Sequence, residues 1–264
     1  NYITKPLTRL WDTKAHINAE SKILAPQSKE TPWIRFIEAP KVSNYKAMTT
    51  FGWHSLEINV QKVDSIPEKL KNSKFKIIGK PHALGMSDKI RAMQIEGPSN
   101  EILYLTEILD DPSLKHLPKA ETFIDKIFIV PLGSPNMNKT RDWYLENFPN
   151  IQKGIEALDI NMPLISEALD IDLETKLSIC TIRLPKKFSI EIDQYPNNAF
   201  ERKKHPNSLP PGISIVSFKI DSLDKLKLPF ISKPQVINEY PYNKSRVGLI
   251  MGTANEIIEL IERK

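Results

Sequence analysis

The sequence predicts an α+β fold of repeated βαβββ units, and three observations carry that reading. The closing stretch, residues 252–262 (GTANEIIELIE), occurs 155 positions earlier as residues 97–107 (GPSNEILYLTE). The stretch upstream repeats as well: Ser55-Leu-Glu-Ile-Asn-Val-Gln-Lys-Val-Asp, then Ile77-Ile-Gly-Lys-Pro81, parallels Ile215-Val-Ser-Phe-Lys-Ile-Asp-Ser-Leu-Asp, then Phe230-Ile-Ser-Lys-Pro234. Within residues 51–108 the hydrophobic period passes from two to helical and back to two, in the order strand, helix, strand, strand, strand.

The elements follow in order. Residues 1–30 hold two short helices or turns around Leu10-Trp11-Asp12, and residues 32–38 (PWIRFIE) read as a strand. No strand-then-helix opening precedes it, so a unit here is incomplete or degenerate, or the natural chain begins upstream of Asn1. The next unit has strands at 55–60, 75–78, 90–95 and 102–106 and a helix at about 63–72. Residues 123–130 (FIDKIFIV) form another strand, and 136–148 (NMNKTRDWYLENF) an amphipathic helix on which Trp143 and Tyr144 are core anchors. Residues 151–175 mix helical and extended signals before strands at 177–184 and 188–194, where Tyr195 packs. The last unit, 212–262, has a short helix at 222–226 and a strand bounded by Pro229 and Pro234.

The 264 residues are 40% hydrophobic with a mean hydropathy of -0.34, enough to bury a sizeable core. No apolar run approaches the roughly 18 residues of a membrane span, and the first ten residues lack a signal-peptide core, so a cytoplasmic protein without membrane contact is expected. The net charge of +5 comes from 37 basic residues spread among 32 acidic ones, with no basic stripe, which argues against nucleic acid. The cluster Arg202-Lys203-Lys204-His205 reads as a solvated loop in a linker. The lone Cys180 reads as a core thiol. Phosphate-binding glycine loops, Gly-x-Ser-x-Gly and His-Glu-x-x-His are absent.

The repeated units, the strand opening Ile-Asp-x-Ile-Phe-Ile-Val, the helix carrying Arg-Asp-Trp-Tyr-Leu-Glu-Asn-Phe and the closing Ile-Glu-Leu-Ile-Glu together resemble the glyoxalase / bleomycin resistance / extradiol dioxygenase proteins, the vicinal oxygen chelate superfamily. The resemblance covers most of residues 31–262. It implies that units pair into curled mixed sheets around a cavity, with an N-terminal half at 1–115 (second unit 51–108) and a C-terminal half at 116–264 (units 121–196 and 212–262). It also implies a small-molecule substrate or ligand, a homodimer among the possible assemblies, and a divalent metal such as Mg, Mn, Fe, Zn or Ni, held by opening and closing strands. The chemistry implied is lyase or isomerase chemistry on an oxygen-rich substrate, with dioxygenases also in the family; the alternative is metal-free sequestration of a ligand.

Carried over by position, the closing-strand carboxylate of the family falls on Glu259 and Glu191, on Tyr104 in the second unit and on Arg35 in the first. The opening strand offers Asp125 or Lys126, and Ile215 or Ser217, while His54 lies one residue from the expected place, Ser55. The implied metal set is Glu259, Glu191 and Asp125; for Glu259 the competing reading is a solvent-facing strand residue. In the first half, Arg35, Glu57, Asn59, Tyr104 and Thr106 alternate away from apolar neighbours and so share one concave surface. There Arg35, Asn59 and Thr106 are candidate substrate-binding groups, and Tyr104, Glu57 and His54 candidate catalytic groups, with Tyr104 as acid and Glu57 as base. The competing reading is an internal Arg35–Glu57 pair. His54 otherwise packs or faces solvent, and His82 sits in a loop that caps the cavity or does nothing.

Overall fold

The structure is a computed structural model that describes residues 1–28, 33–85 and 87–263. At the N-terminus, α1 (Lys5–Leu10) begins with Pro6 in its first turn, where a missing N–H costs nothing, and buries Leu7 and Leu10. A single 3₁₀ turn (Lys14–His16) leads to β1 (Ser21–Leu24), which pairs antiparallel with β2 (Ile34–Ile37). Strand β2 is the one expected at 32–38, of which Pro32 lies outside the described residues.

The second unit runs β3 (Gly52–Trp53), β4 (Ser55–Val60), α2 (Ile66–Leu70), β5 (Lys76–Leu84), β6 (Ser87–Glu96) and β7 (Ile102–Ile108). The order across the sheet is β4-β7-β6-β5, with β4 parallel to β7 and the rest antiparallel. This is the expected βαβββ unit. Alternation sends Leu56, Ile58, Leu103, Leu105, Met93 and Ile95 to one face, where Val63 and Ile66 cover them. Ser55, Glu57, Asn59, Tyr104 and Thr106 occupy the other.

The third unit comprises β8 (Ile124–Ser134), α3 (Met137–Asn147), β9 (Gln152–Lys153), β10 (Leu158–Asn161), α4 (Pro163–Leu169), β11 (Lys176–Leu184) and β12 (Phe188–Gln194). Asn136 caps α3 through its side-chain oxygen, which accepts from the Lys139 amide at 2.9 Å. On its inner face the unit packs Tyr144, Leu132, Ile190 and Ile192, together with Cys180, which is fully buried as expected. The strand order β8-β12-β11-β10 repeats that of the second unit, and β8 also pairs antiparallel with β4. Each opening strand otherwise has one bare edge, and pairing the two covers both. The boundary expected at residues 115 and 116 lies between β7 and β8, and the ten-stranded sheet runs across it.

The fourth unit has β13 (Ile215–Ile220), β14 (Phe230–Ile237), β15 (Ser245–Met251) and β16 (Ile257–Glu262), in the order β13-β16-β15-β14. The pairing of Ser217 with Glu259 reproduces that of Glu57 with Tyr104, so the internal repeat is a repeat of register. Two expectations fail here. Residues 222–226 form turns and no helix, because five residues so close to Pro229 cannot sustain one, and the Leu223 amide donates to Glu262 at 2.9 Å. Pro234 lies inside β14, which it can do because β14 is an edge strand with a register shift between Ser232 and Gln235. Leu7, Leu10 and Trp11 pack with Val247, Leu249 and Ile257, so the N-terminal segment fills the curl of this sheet.

The linker corrects one further expectation. Lys203, Lys204 and His205 are exposed, but the Arg202 guanidinium turns inward. It donates to the carbonyls of Trp53 (2.6 Å), Ile213 (2.9 Å) and Pro211 (3.3 Å) and to the Thr50 hydroxyl (2.9 Å), and it lies over the Tyr45 ring. No helix among the described residues is long and apolar enough to cross a membrane.

Candidate functional site

The join of the second and third units brings two opening and two closing strands side by side, and their inward side chains form one polar concave face. The register sets Gln94 beside Tyr104, and Tyr104 beside Glu57. Glu191 stands on β12, on the far side of β8. The Thr106 hydroxyl donates to Glu57 at 2.6 Å, and the Asn59 amide donates to the Thr106 carbonyl at 3.3 Å. Four of the expected residues, Glu57, Asn59, Tyr104 and Thr106, are therefore together.

Crowding of acids sets the electrostatics. Burial pushes the Glu57 carboxyl up to about 7, against the pull of the Thr106 hydrogen bond. Burial, then Asp193 and Glu57, hold the Glu191 carboxyl well above the usual carboxylate range. Burial, followed by Asp193, Glu191 and Glu57, also raises the Tyr104 phenol well above its ordinary value, so it keeps its proton. A raised acid stabilises the fold fully below its unfolded value, 4.5, and loses that contribution as pH rises through its folded value, about 7. Glu57→Gln should therefore gain stability over the wild type by about 2 to 3 kcal/mol between pH 4 and pH 8, measured by urea unfolding at each pH.

His54 lies at the joint between β3 and β4, its amide donating to the Pro131 carbonyl at 3.2 Å. Its ring is buried, with Nε2 at 2.7 Å from Asp193 Oδ2 and the ring centroid 5.5 Å from that of Tyr195. Tyr195 comes this close because Gly133 lies under it: a Cβ there would stand 2.8 Å from the ring. Asp193 and Tyr195 were missed as site residues. The signal was available, since residues 191, 193 and 195 share a strand face by the same period of two that singled out Glu57 and Asn59. Among the described residues, five buried polar atoms on this face have no partner: Ser55 Oγ, Asn59 Oδ1, His54 Nδ1, Asp193 Oδ1 and the Tyr195 hydroxyl. Helix α4 covers part of the face, packing Ile165 and Leu169 with Ile102, Tyr104 and Tyr195. Lys46 Nζ, at 2.8 Å from the Ala168 carbonyl, and Asn198, at 2.7 Å from the Leu169 carbonyl, hold its C-terminal end.

The remaining predicted residues lie elsewhere. Arg35 does not join Glu57: it sits on β2, over the rings of Trp11 (5.8 Å) and Tyr242 (5.4 Å), and donates to the Tyr240 carbonyl. The reason is tertiary, since β2 pairs with β1 alone and its segment docks on the fourth unit. Glu259, 2% exposed, accepts from the Trp11 indole (2.9 Å), Ser217 (2.6 Å) and the Tyr242 hydroxyl (3.0 Å). Asp125 accepts from the Ser28 hydroxyl and from the Glu121 amide at 2.8 Å, with Lys126 at 4.0 Å. The three expected metal ligands thus occupy three separate places, and among the described residues no three His, Cys, Asp or Glu side chains come together as a metal site. A carboxylate whose oxygens are taken by N–H and O–H donors has no place for a cation, so Glu259 does not fit the metal the resemblance implies. His82 lies on strand β5 and not in a loop, exposed, with its ring 2.8 Å from the Lys80 carbonyl of the same strand.

No protein-family model and no curated protein matches the chain by sequence. Solved structures do match. Glyoxalase I from Zea mays superposes with a TM-score of 0.57 at 12% identity, over 87% of this chain and 73% of that one. A mutant form of the Zea mays enzyme gives 0.58 at 10% identity, over 92% and 80%. A putative dioxygenase from Bacillus subtilis subsp. subtilis str. 168 gives 0.54 at 10% identity, over 92% and 72%. With βαβββ units in repeated register, two opening strands paired edge to edge and these neighbours in space, the chain shares the curled mixed-sheet fold of these glyoxalase I and dioxygenase structures.

Proposed function

We propose that the protein is a small-molecule enzyme of the lyase or isomerase type, which moves a proton on an oxygen-rich substrate at the polar face between the second and third units. The observation that supports it most is the placement of Glu57 beside Tyr104 on a partly covered polar face, its carboxyl held at about 7. A group at that value is present as acid and as base in comparable amounts near neutrality, which suits abstraction and return of one proton. Tyr104, which keeps its proton, donates a hydrogen bond to the substrate oxygen where charge develops. The His54 ring, with Nε2 at 2.7 Å from Asp193 Oδ2, is fixed beside the same face and orients a bound substrate. No step passes through a metal, because the candidate ligands do not converge.

Carbon-bound hydrogen exchange into a panel of hydroxy-ketones in deuterium oxide, followed by NMR, tests this directly. The wild type should exchange at least one member, and Glu57→Gln should slow that exchange by about 100-fold or more while melting as a folded protein. Tyr104→Phe should slow exchange while ligand-dependent thermal stabilisation is retained. Undiminished exchange in Glu57→Gln would remove Glu57 as the base. Stabilisation by a panel member without any exchange would favour sequestration, a reading supported by Tyr104 standing where the fourth unit has Glu259.

A further inference from the structure

We infer that a second site, separate from the polar face, binds a small phosphate monoester in the cleft between the β7–β8 connection and the turn that joins β11 to β12. The cleft has a volume of about 590 Å³, the size of a small-molecule site, and Lys115, Lys119, Lys126, Lys186 and Lys187 line it, with Glu121 the one acid in its lining. Three parts of the chain bring these lysines together: residues 115–121, the start of β8, and the 3₁₀ turn Pro185–Lys187. The Lys187 ammonium ties two of those parts, donating to the carbonyls of Lys115 (2.7 Å) and Leu117 (3.3 Å). The cleft is thus built by the fold and is not a run of charge along the sequence.

Charge names the ligand. Lys119 pairs with Asp110, while Lys126 has two acids in reach, Glu121 at 3.6 Å and Asp125 at 4.0 Å. Those distances are too long for hydrogen bonds, and Asp125 already accepts from the Ser28 hydroxyl and from the Glu121 amide at 2.8 Å. The Lys126 side chain is 12% exposed, so its ammonium is largely withdrawn from water without a bonded partner. Among the described residues, the ammonium groups of Lys115 and Lys186 have no hydrogen bond or ion pair. Five cations therefore stand against the three carboxylates they reach, an excess of two. Like charges held in one cleft repel, and an anion that enters it relieves them. A phosphate monoester carries about two negative charges near neutrality and three strong acceptor oxygens, which meets the excess, whereas a carboxylate carries one. Lysines suit a phosphate as point charges around it. Leu117, Pro118 and Ala120 line the same cleft and give the organic part of the ester an apolar wall.

Calorimetric titration of the whole chain at about pH 8 and fixed ionic strength, with phenyl phosphate, benzoate and inorganic phosphate as probes, tests the site. Phenyl phosphate should bind saturably and at least about 10-fold more tightly than benzoate, which has the same ring and one charge, and inorganic phosphate should compete with it. Lys126→Gln and Lys115→Gln should each weaken phenyl phosphate by about 5-fold or more while melting close to the wild type, because neither ammonium makes a hydrogen bond within the fold. Lys203→Gln removes the same charge from an exposed position in the linker and should leave binding unchanged. Absence of phenyl phosphate binding overturns the inference, as does benzoate binding of equal strength. A loss in Lys203→Gln as large as that in Lys126→Gln also overturns it, because the attraction would then be one of net charge. Duplex DNA bound through Lys126, with phenyl phosphate unbound, would overturn it in favour of a nucleic-acid backbone. Should Lys126→Gln fail to fold, Lys115→Gln, on an exposed side chain, carries the test.

Discussion

Arg202→Met lowers the stability of the chain by about 3 to 5 kcal/mol and its melting temperature by roughly 10 °C, the largest effect expected of any single substitution in the linker. Arg202 makes four hydrogen bonds, three of them to main-chain carbonyls in two segments, Trp53 in one and Pro211 and Ile213 in the other. Burial lowers its tendency to hold a proton, yet the carbonyl dipoles around it accept from a charged donor, which makes each bond stronger than a neutral one. Methionine fills similar space but leaves those carbonyls without a donor. Arg202→Lys should recover only part of the loss, because one ammonium cannot reach a planar fan of acceptors. Thermal unfolding of the three proteins checks the order. The effect should extend to the candidate site, because the Trp53 carbonyl precedes His54, and the His54 ring depends on that backbone to meet Asp193. A melting temperature within 2 °C of the wild type in Arg202→Met would show that water replaces the guanidinium and that the linker holds nothing.

Glu259→Ala should cost about 3 kcal/mol or more, and the loss should appear as release of the N-terminal segment. The carboxylate is the common acceptor for the Trp11 indole, Ser217 and Tyr242, and removing it leaves buried donors from three segments unpaired. Trp11 is then held to the fourth unit by apolar packing alone. Its fluorescence should shift to the red relative to wild type, and limited proteolysis should cut within residues 12–28 first. Glu259→Gln keeps one acceptor oxygen for the indole and should cost clearly less. Equal losses in the two variants would mean that the packing of Leu7, Leu10 and Trp11 holds the segment without the carboxylate. The same geometry separates Glu259 from Glu191: both stand on closing strands, but Glu191 keeps company with other acids and Glu259 with donors.

The sequence alone determined the main strands of the second unit and their faces. A period of two in Leu56, Ile58, Leu103 and Leu105 places Glu57 beside Tyr104 and Asn59 beside Thr106, because alternation along a strand is a local property. The repeat of 97–107 at 252–262 likewise implied equal registers, and Asn136 before an amphipathic run marked the start of α3. What only the tertiary structure decided is which unit meets which. The pairing of β4 with β8 brought Glu191 and Asp193 to Glu57, and the docking of α1 on the fourth unit carried Arg35 away from it. His54 and Asp193 are 139 residues apart, Trp11 and Glu259 are 248 apart, and no local pattern records such contacts. Whether a carboxylate is a base, a hydrogen-bond acceptor or a ligand depends on the donors and charges that surround it in space. For Glu57, Glu191 and Glu259 those neighbours come from other units of the repeat, so the residue types were legible in sequence and their chemistry was not.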